Sequence, residues 1–303
     1  MKRTGIVVAI ACGLVPAAAR AYVRTPVDAR NAPDSCLYWS QRTIPWSPAA
    51  ELGGGLPAAT ALEEFRASFA EWSSQSCTDL AFVERAPAAR EVGYRANGHN
   101  DDVLLFRDRA CDDVVPRGDP CIDSGSCSNQ YDCWEWDSRL IAVTTTTFSQ
   151  CSGRIVDADI ELNASAFDFT TSSGQPCSRA GQTGCVSTDL RNTLVHEIGH
   201  VIGLDHTRVR EATMYESAPP GETQKRTLAQ DDVDGLCDIY PAGEETWICA
   251  PAQPLARCGE GSGSAGARTA GCSSGGAGLS PLGMLAAWLW RRRVGARRGG
   301  ARR

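Results

Sequence analysis

The stretch HEIGHVIGLDH, residues 196–206, holds three of the four histidines in a chain of 303 residues. His196 and His200 are four apart, so on a helix their imidazoles stack on one face about one turn from each other. Leu190, Leu194, Ile198 and Val201, with Ile202, recur at helical spacing as one apolar stripe, and His196, Glu197 and His200 lie off it. Ser187 and Thr188 are candidate caps for this helix, with Asp189 favourable in its first turn. Gly203 stands where a helix can close on a left-handed residue that glycine adopts at low cost. The chain can then reverse and carry His206 back towards the other two imidazoles.

Two imidazoles on one face supply half of a tetrahedral zinc site. His206 adds a third protein ligand, and the fourth position is left to water, as in zinc sites that catalyse rather than brace. Glu197, beside the first ligand, is within reach of such a water. Zinc lowers the water's pKa to about 7, and a neighbouring carboxylate can take its proton during attack on a carbonyl. His-Glu-x-x-His alone recurs by chance; His, Glu, His, Gly and His together at this spacing do not.

Outward from this stretch, Thr60 and Glu63 form a capping-box pattern ahead of Leu62, Phe65, Phe69 and Trp72, which mark one face of an N-terminal helix. Strand-like runs follow at 80–84, 103–106, 140–147 and 155–162. Residues 108–137 are rich in Cys, Asp, Gly and Ser and read as a disulfide-pinned loop. A C-terminal helix starts at a second capping box, Thr227 to Gln230, and runs to Tyr240 with Val233, Leu236 and Ile239 on its buried side. The layout is α+β with a modest mixed sheet.

The long histidine pattern resembles the metzincin signature of zinc metalloproteases, whose Met-containing turn is matched by Met214 in ATMYES, eight residues after His206. Within that group the chain is similar to the matrixins, the M10 type. GLDHT, TMYE, LAQDDVDGLCDIYP (228–241), TIPWSP (43–48), AEWSS and TTTFSQCSGRIVDADIELN (145–163) all look like matrixin segments, and together they span residues 36–241. The resemblance implies a metzincin-like zincin fold: a twisted mixed β-sheet with an active-site helix, an N-terminal helix and a C-terminal helix. It implies Zn2+ held by His196, His200 and His206, Glu197 as general base and then proton donor, and Gly203 and Met214 supporting the site. An extended peptide would lie along an edge strand, by this resemblance the one near Ile155 to Leu162.

Departures from the pattern narrow the expectation. Matrixins with a second, structural zinc have further histidines ahead of the active-site helix; this chain offers only His99, and reads Asp157-Ala158-Asp159 where those carry Asp-Ala-His. One zinc is therefore expected, with His99 a solvated loop residue. Ca2+ is compatible with the acidity, with Asp157 and Asp159 as candidates. No propeptide with a zinc-capping cysteine is recognised before Cys36, which is expected in a disulfide. Tyr215 follows Met214 directly, whereas the zinc-binding tyrosine of some metzincins comes two residues after it, so that role is not carried over.

The ends read as export signals. Residues 1–21 have a basic start, an apolar run and a small-x-small site, the order of a secretory signal peptide. A short N-terminal segment (22–35) precedes the domain at 36–241, and 242–271 read as a Pro/Gly/Ser/Ala-rich linker. Residues 272–303 combine Cys272, the short apolar run LSPLGMLAAWLW and an Arg cluster. They resemble the myxobacterial kind of surface-sorting tail, which implies a cut near Cys272; a short membrane anchor is the alternative. Apart from Cys12 and Cys272, twelve cysteines remain, an even set that reads as disulfides in an exported chain, with Cys177 and Cys185 closing one loop. All 36 acidic residues lie between Asp28 and Glu260, and residues 22–260 hold 19 of the 30 basic ones, so this part carries −17. Such a charge argues against nucleic acid as a partner. The reading is a monomeric, secreted or surface-associated zinc endopeptidase acting on proteins or peptides. The competing readings are a surface binding or adhesion protein that keeps a zinc-stabilised fold, and a zinc hydrolase of non-peptide bonds.

Overall fold

Strand-forming runs from across the chain assemble one six-stranded sheet in the computed structural model, which describes residues 21–96, 100–249 and 265–272. In chain order the main elements are β1 (Thr43–Pro48), α1 (Ala58–Ser73), β2 (Ala81–Glu84), β3 (Val103–Arg107), β4 (Ala142–Ser149), β5 (Ile155–Asn163), α2 (Leu190–Val201), α3 (Gln230–Ile239) and β6 (Ala265–Ala270). The spatial order is β6-β4-β5-β3-β1-β2. Pairing is antiparallel at β6·β4 and β4·β5 and parallel through the rest. The expected α+β class and mixed sheet with three principal helices are what the chain forms.

β3, with the sequence VLLFR, is buried along its whole length, as a central strand covered on both faces must be. β1 is interior despite two prolines. Ser47 and Ala49 donate to the carbonyls of Asp102 and Leu104, while Pro48 between them faces the other neighbour and accepts from Ala88 N. The missing N–H therefore falls where β1 needs only an acceptor.

α1 lays Phe65, Phe69 and Trp72 into the core, and Phe69 stacks on Trp46 of β1 with centroids 4.5 Å apart. Trp72 also reaches α2, donating its indole N–H to Val195 O at 2.8 Å. α3 ends on Tyr240, whose hydroxyl donates to Ile202 O at 2.9 Å and accepts from Trp39 N at 3.0 Å. That one phenol ties the end of α2 to the N-terminal segment and to α3.

The helix starts differ from the sequence reading. α1 begins at Pro57 with no side-chain cap, so Thr60 and Glu63 lie inside its first turns. α2 is capped by Asp189, whose carboxylate accepts from Asn192 N at 2.8 Å, and not by Ser187 or Thr188. α3 begins three residues beyond Thr227, where Asp232 accepts from Ala229 N at 2.9 Å. An aspartate carboxylate thus serves the first turns of α2 and α3, and Pro57, with its fixed φ, starts α1.

Disulfides join Cys36–Cys249, Cys77–Cys237, Cys111–Cys133, Cys121–Cys127 and Cys177–Cys185, and Cys151 is disulfide-bonded too. Two of these pin the loop between β3 and β4, as its composition implied. The signal segment, His99 and most of the tail lie outside the described residues. Part of the stretch read as linker is a strand: residues 265–270 extend the sheet as β6.

Candidate active site

α2 presents His196, Glu197 and His200 from a helix whose residues are nearly all buried. Gly203 closes it with φ +94°, and its N–H donates to His200 O at 3.0 Å. A side chain there would also place Cβ 2.6 Å from Leu37 O, so both the conformation and the space require glycine. The next two residues, Leu204 and Asp205, pair antiparallel with Val23–Arg24 and aim His206 at the other imidazoles.

The three rings converge through their Nε2 atoms. His206 Nε2 lies 3.2 Å from Nε2 of His196 and 3.2 Å from Nε2 of His200. The opposite nitrogens are engaged by backbone carbonyls, His196 Nδ1 with Thr213 O at 2.6 Å and His200 Nδ1 with Leu204 O at 2.9 Å. Each Nδ1 therefore carries the proton, and each Nε2 turns a lone pair inward. Burial is the largest cause holding the imidazoles neutral, pushing His196 and His206 well below the usual range and lowering His200. Neutral nitrogens facing one another at this distance fit a shared cation and little else.

Glu197 is fully buried next to this cluster, and burial raises its pKa to about 7. Thr144 of β4 donates its hydroxyl to Glu197 Oε2 at 2.7 Å, and Cys272 N–H donates to Oε1 at 3.2 Å. Met214 lies beneath α2: a Cβ on Gly199 would come 2.1 Å from its sulfur. The turn that carries Met214 hangs on Asp232, which accepts from Thr213 N at 2.7 Å and Met214 N at 3.0 Å. Lys225, buried, donates to the carbonyls of Tyr215 and Ser217 and so shapes the loop after Met214. A cavity of about 180 Å³ opens beside α2, lined by Ile141, Phe167, Asn192, Thr193, Ala218 and Pro219 among others.

Thr144, Asp232 and Lys225 were not picked out from the sequence; each acts from a distant segment, and only their burial in the fold marks them. The expected edge strand is corrected as well. The run from Ile155 to Leu162 is β5, flanked by β4 and β3, and the strand that borders the site is β4. Beyond it, among the described residues, lies only β6. On the far side of the sheet, Asp102, Asp157 and Asp159 are buried together. Asp102 Oδ2 and Asp157 Oδ2 have no hydrogen-bond partner among the described residues. Burial first, and then neighbouring acids, raise all three, Asp157 to about 6.

A sequence model of the matrixin peptidases matches residues 38–241, two thirds of the chain and all of the site. The chain belongs to the matrixin family. It is 52% identical over 52 residues to Metalloendoproteinase 1 of Glycine max, an alignment covering 17% of each protein. It is 37% identical over 101 residues to Metalloendoproteinase 4-MMP of Arabidopsis thaliana, covering 33% of this chain and 26% of that relative. With human Matrix metalloproteinase-25 it shares 39% over 61 residues, 20% of this chain and 11% of that one. The alignments thus span no more than about a quarter of these relatives' lengths. As a matrixin, the chain has the metzincin-like zincin fold.

Proposed function

We propose that this matrixin is an exported zinc-dependent endopeptidase in which His196, His200 and His206 hold one zinc ion and Glu197 is the general base. The observation that carries the reading is the convergence of three Nε2 lone pairs beside a buried carboxylate, with strand β4 alongside. Zinc bound there supplies a Lewis acid that polarises the scissile carbonyl and acidifies the attacking water. Glu197 takes a proton from that water and returns it to the departing amine. Thr144 fixes the carboxylate's orientation. The main chain of β4 holds the peptide extended, and the cavity lined by Asn192, Thr193 and Ala218 receives one of its side chains. Gly203 and Met214 support the metal-binding imidazoles from the helix end and from below.

For calcium, the proposed ligands are the acids picked out from the sequence, Asp157 and Asp159: Asp157 Oδ2 is buried with no hydrogen-bond partner among the described residues, and hard oxygen ligands suit Ca2+. The disulfides fit an oxidising, extracellular setting. No helix among the described residues is long and apolar enough to cross a membrane, and we assign retention at the cell surface to the tail beyond Cys272. A protein or peptide is the substrate, and the domain acts as a monomer. Glu197 weighs against a non-catalytic binding protein, because a zinc that only braces a fold needs no buried carboxylate beside its ligands.

The test is zinc content and cleavage of a denatured protein mixture, with Glu197→Ala as the blank. Both are measured in the native chain and in a Gly271→Val background, since a side chain at 271 would collide with Ala142 O on β4. One zinc per chain and cleavage dependent on Glu197 are expected. A zinc-loaded chain that cleaves no more than the blank in both backgrounds overturns the peptidase reading.

A further inference from the structure

The groups that the proposed reaction uses are already covered by the chain itself. β6 pairs antiparallel with β4 over six residues, from Ala265↔Ser149 to Ala270↔Thr144, and takes up the edge along which an extended peptide would bind. The chain does not stop at the end of the strand. Ile141 N–H donates to Cys272 O at 2.9 Å, while Cys272 N–H donates to Glu197 Oε1. With Thr144 on the other oxygen, both oxygens of the Glu197 carboxylate are engaged. Cys272 is the one free cysteine among the described residues and is buried, its Sγ within 4.8 Å of a ligand atom of His196 and of Glu197. Gly271 fits only because it lacks Cβ, which would lie 2.0 Å from Ala142 O.

From this we infer that the segment Ala265–Cys272 is the resident occupant of the peptide cleft, a built-in pseudosubstrate that keeps the enzyme latent until the segment is withdrawn or cut away. The inference deepens the peptidase reading and rests on it for the word latent, but the occupancy itself does not.

The grip on the segment is of the right kind for release. Its sequence, AGARTAGC, offers little apolar surface, so β6 is held by main-chain bonds worth about 0.5–1.5 kcal/mol each and by few side-chain anchors. One such anchor is Arg268, which donates to Val27 O at 3.0 Å. Cooperative edge pairing of this sort opens locally without unfolding the domain. Being part of the same chain, the segment competes at an effective concentration of about millimolar, enough to exclude dilute peptides. A strand that only extended the sheet would have no cause to run on into the carboxylate and the imidazoles.

The experiment uses the full exported chain, zinc-loaded and oxidised. The native rate at which a maleimide modifies Cys272 is read from the mass of the peptide carrying it, beside hydrogen exchange of the β4 amides that face β6. In the wild type, Cys272 is expected to react about a hundredfold more slowly than in the denatured chain, with those β4 amides protected. Gly271→Val is expected to raise the modification rate about tenfold or more and to raise cleavage of an added peptide with it. Protection in the wild type together with faster modification but no cleavage in the variant upholds the occupancy and rejects the peptidase reading. If wild-type Cys272 reacts at the denatured rate and the β4 amides exchange freely, the inference is wrong. It is equally wrong if the wild type cleaves as fast as Gly271→Val while Cys272 stays protected. The wild-type exchange and modification data stand even where the variant fails to fold.

Discussion

Glu197 shows how one side chain's role depends on neighbours far away in sequence. Its position beside His196 follows from the helix, but its orientation comes from Thr144, 53 residues earlier. In the Gly271→Val background, Glu197→Gln is expected to keep zinc and to cleave about 10²–10⁴-fold more slowly, measured by zinc content and peptide hydrolysis together. Asp232 acts in the same way on the Met214 turn. Asp232→Ala leaves the N–H groups of Thr213, Met214 and Ala229 without their acceptor. The loss is expected at about 2–4 kcal/mol in urea unfolding, with weaker zinc retention. The imidazoles were legible because their geometry is local: four residues on a helix, then a glycine, then a return. Thr144 and Asp232 were not, since a threonine in a strand and an aspartate opening a helix look the same whether or not they support a site.

At the scale of elements, the sheet explains both what was read well and what was not. The runs at 103–106, 140–147 and 155–162 became β3, β4 and β5 with small shifts of their ends. The edge position given to the run at 155–162 was wrong, because alternation along a strand says which faces are covered and nothing about which neighbours flank it. β6 escaped notice for a related reason: Ala, Gly and Thr residues gain strand structure from an edge that already exists. Within the sheet, Arg107 of β3 is fully buried and donates to Glu161 of β5 at 2.7 Å and to Asp132 at 2.8 Å. Arg107→Ala would strand the Glu161 carboxylate away from water, and a loss of about 3–5 kcal/mol is expected in denaturant unfolding.

The acidic trio at Asp102, Asp157 and Asp159 gives the same sheet a pH dependence. Burial raises these carboxyls in the fold, Asp157 to about 6, above the unfolded value of about 4. A raised acid stabilises the fold while protonated, so that contribution is full below about pH 4 and is lost as pH rises through about 6. Thermal melts without calcium should therefore fall in midpoint across that window. Millimolar calcium should restore the midpoint at pH 7 and do little at pH 4, where the carboxyls are protonated. A midpoint at pH 7 that ignores calcium would remove the ion from this site.

For the whole molecule, the decisive restraints join residues far apart in the chain. Cys36–Cys249 and Cys77–Cys237 close loops of 213 and 160 residues, while Cys121–Cys127 closes one of 6. The need for disulfides was legible from an even set of cysteines in an exported chain, but their partners, apart from the short Cys177–Cys185 loop, depend on the finished fold. On loop entropy alone, each long bridge contributes about 5 kcal/mol and the shortest about 2 kcal/mol. The difference is testable by removing bridges in pairs. Replacing Cys36 and Cys249 together by alanine should lower the urea midpoint clearly more than replacing Cys121 and Cys127. The effect should exceed stability alone, because Cys249 fixes the chain sixteen residues before β6 begins. Untethering it lowers the effective concentration of the segment at the cleft, so Cys272 in the Cys36/Cys249 double variant should be modified faster than in the Cys121/Cys127 one at matched stability. Equal rates would mean that β6 is held by its own pairing and owes nothing to the bridge.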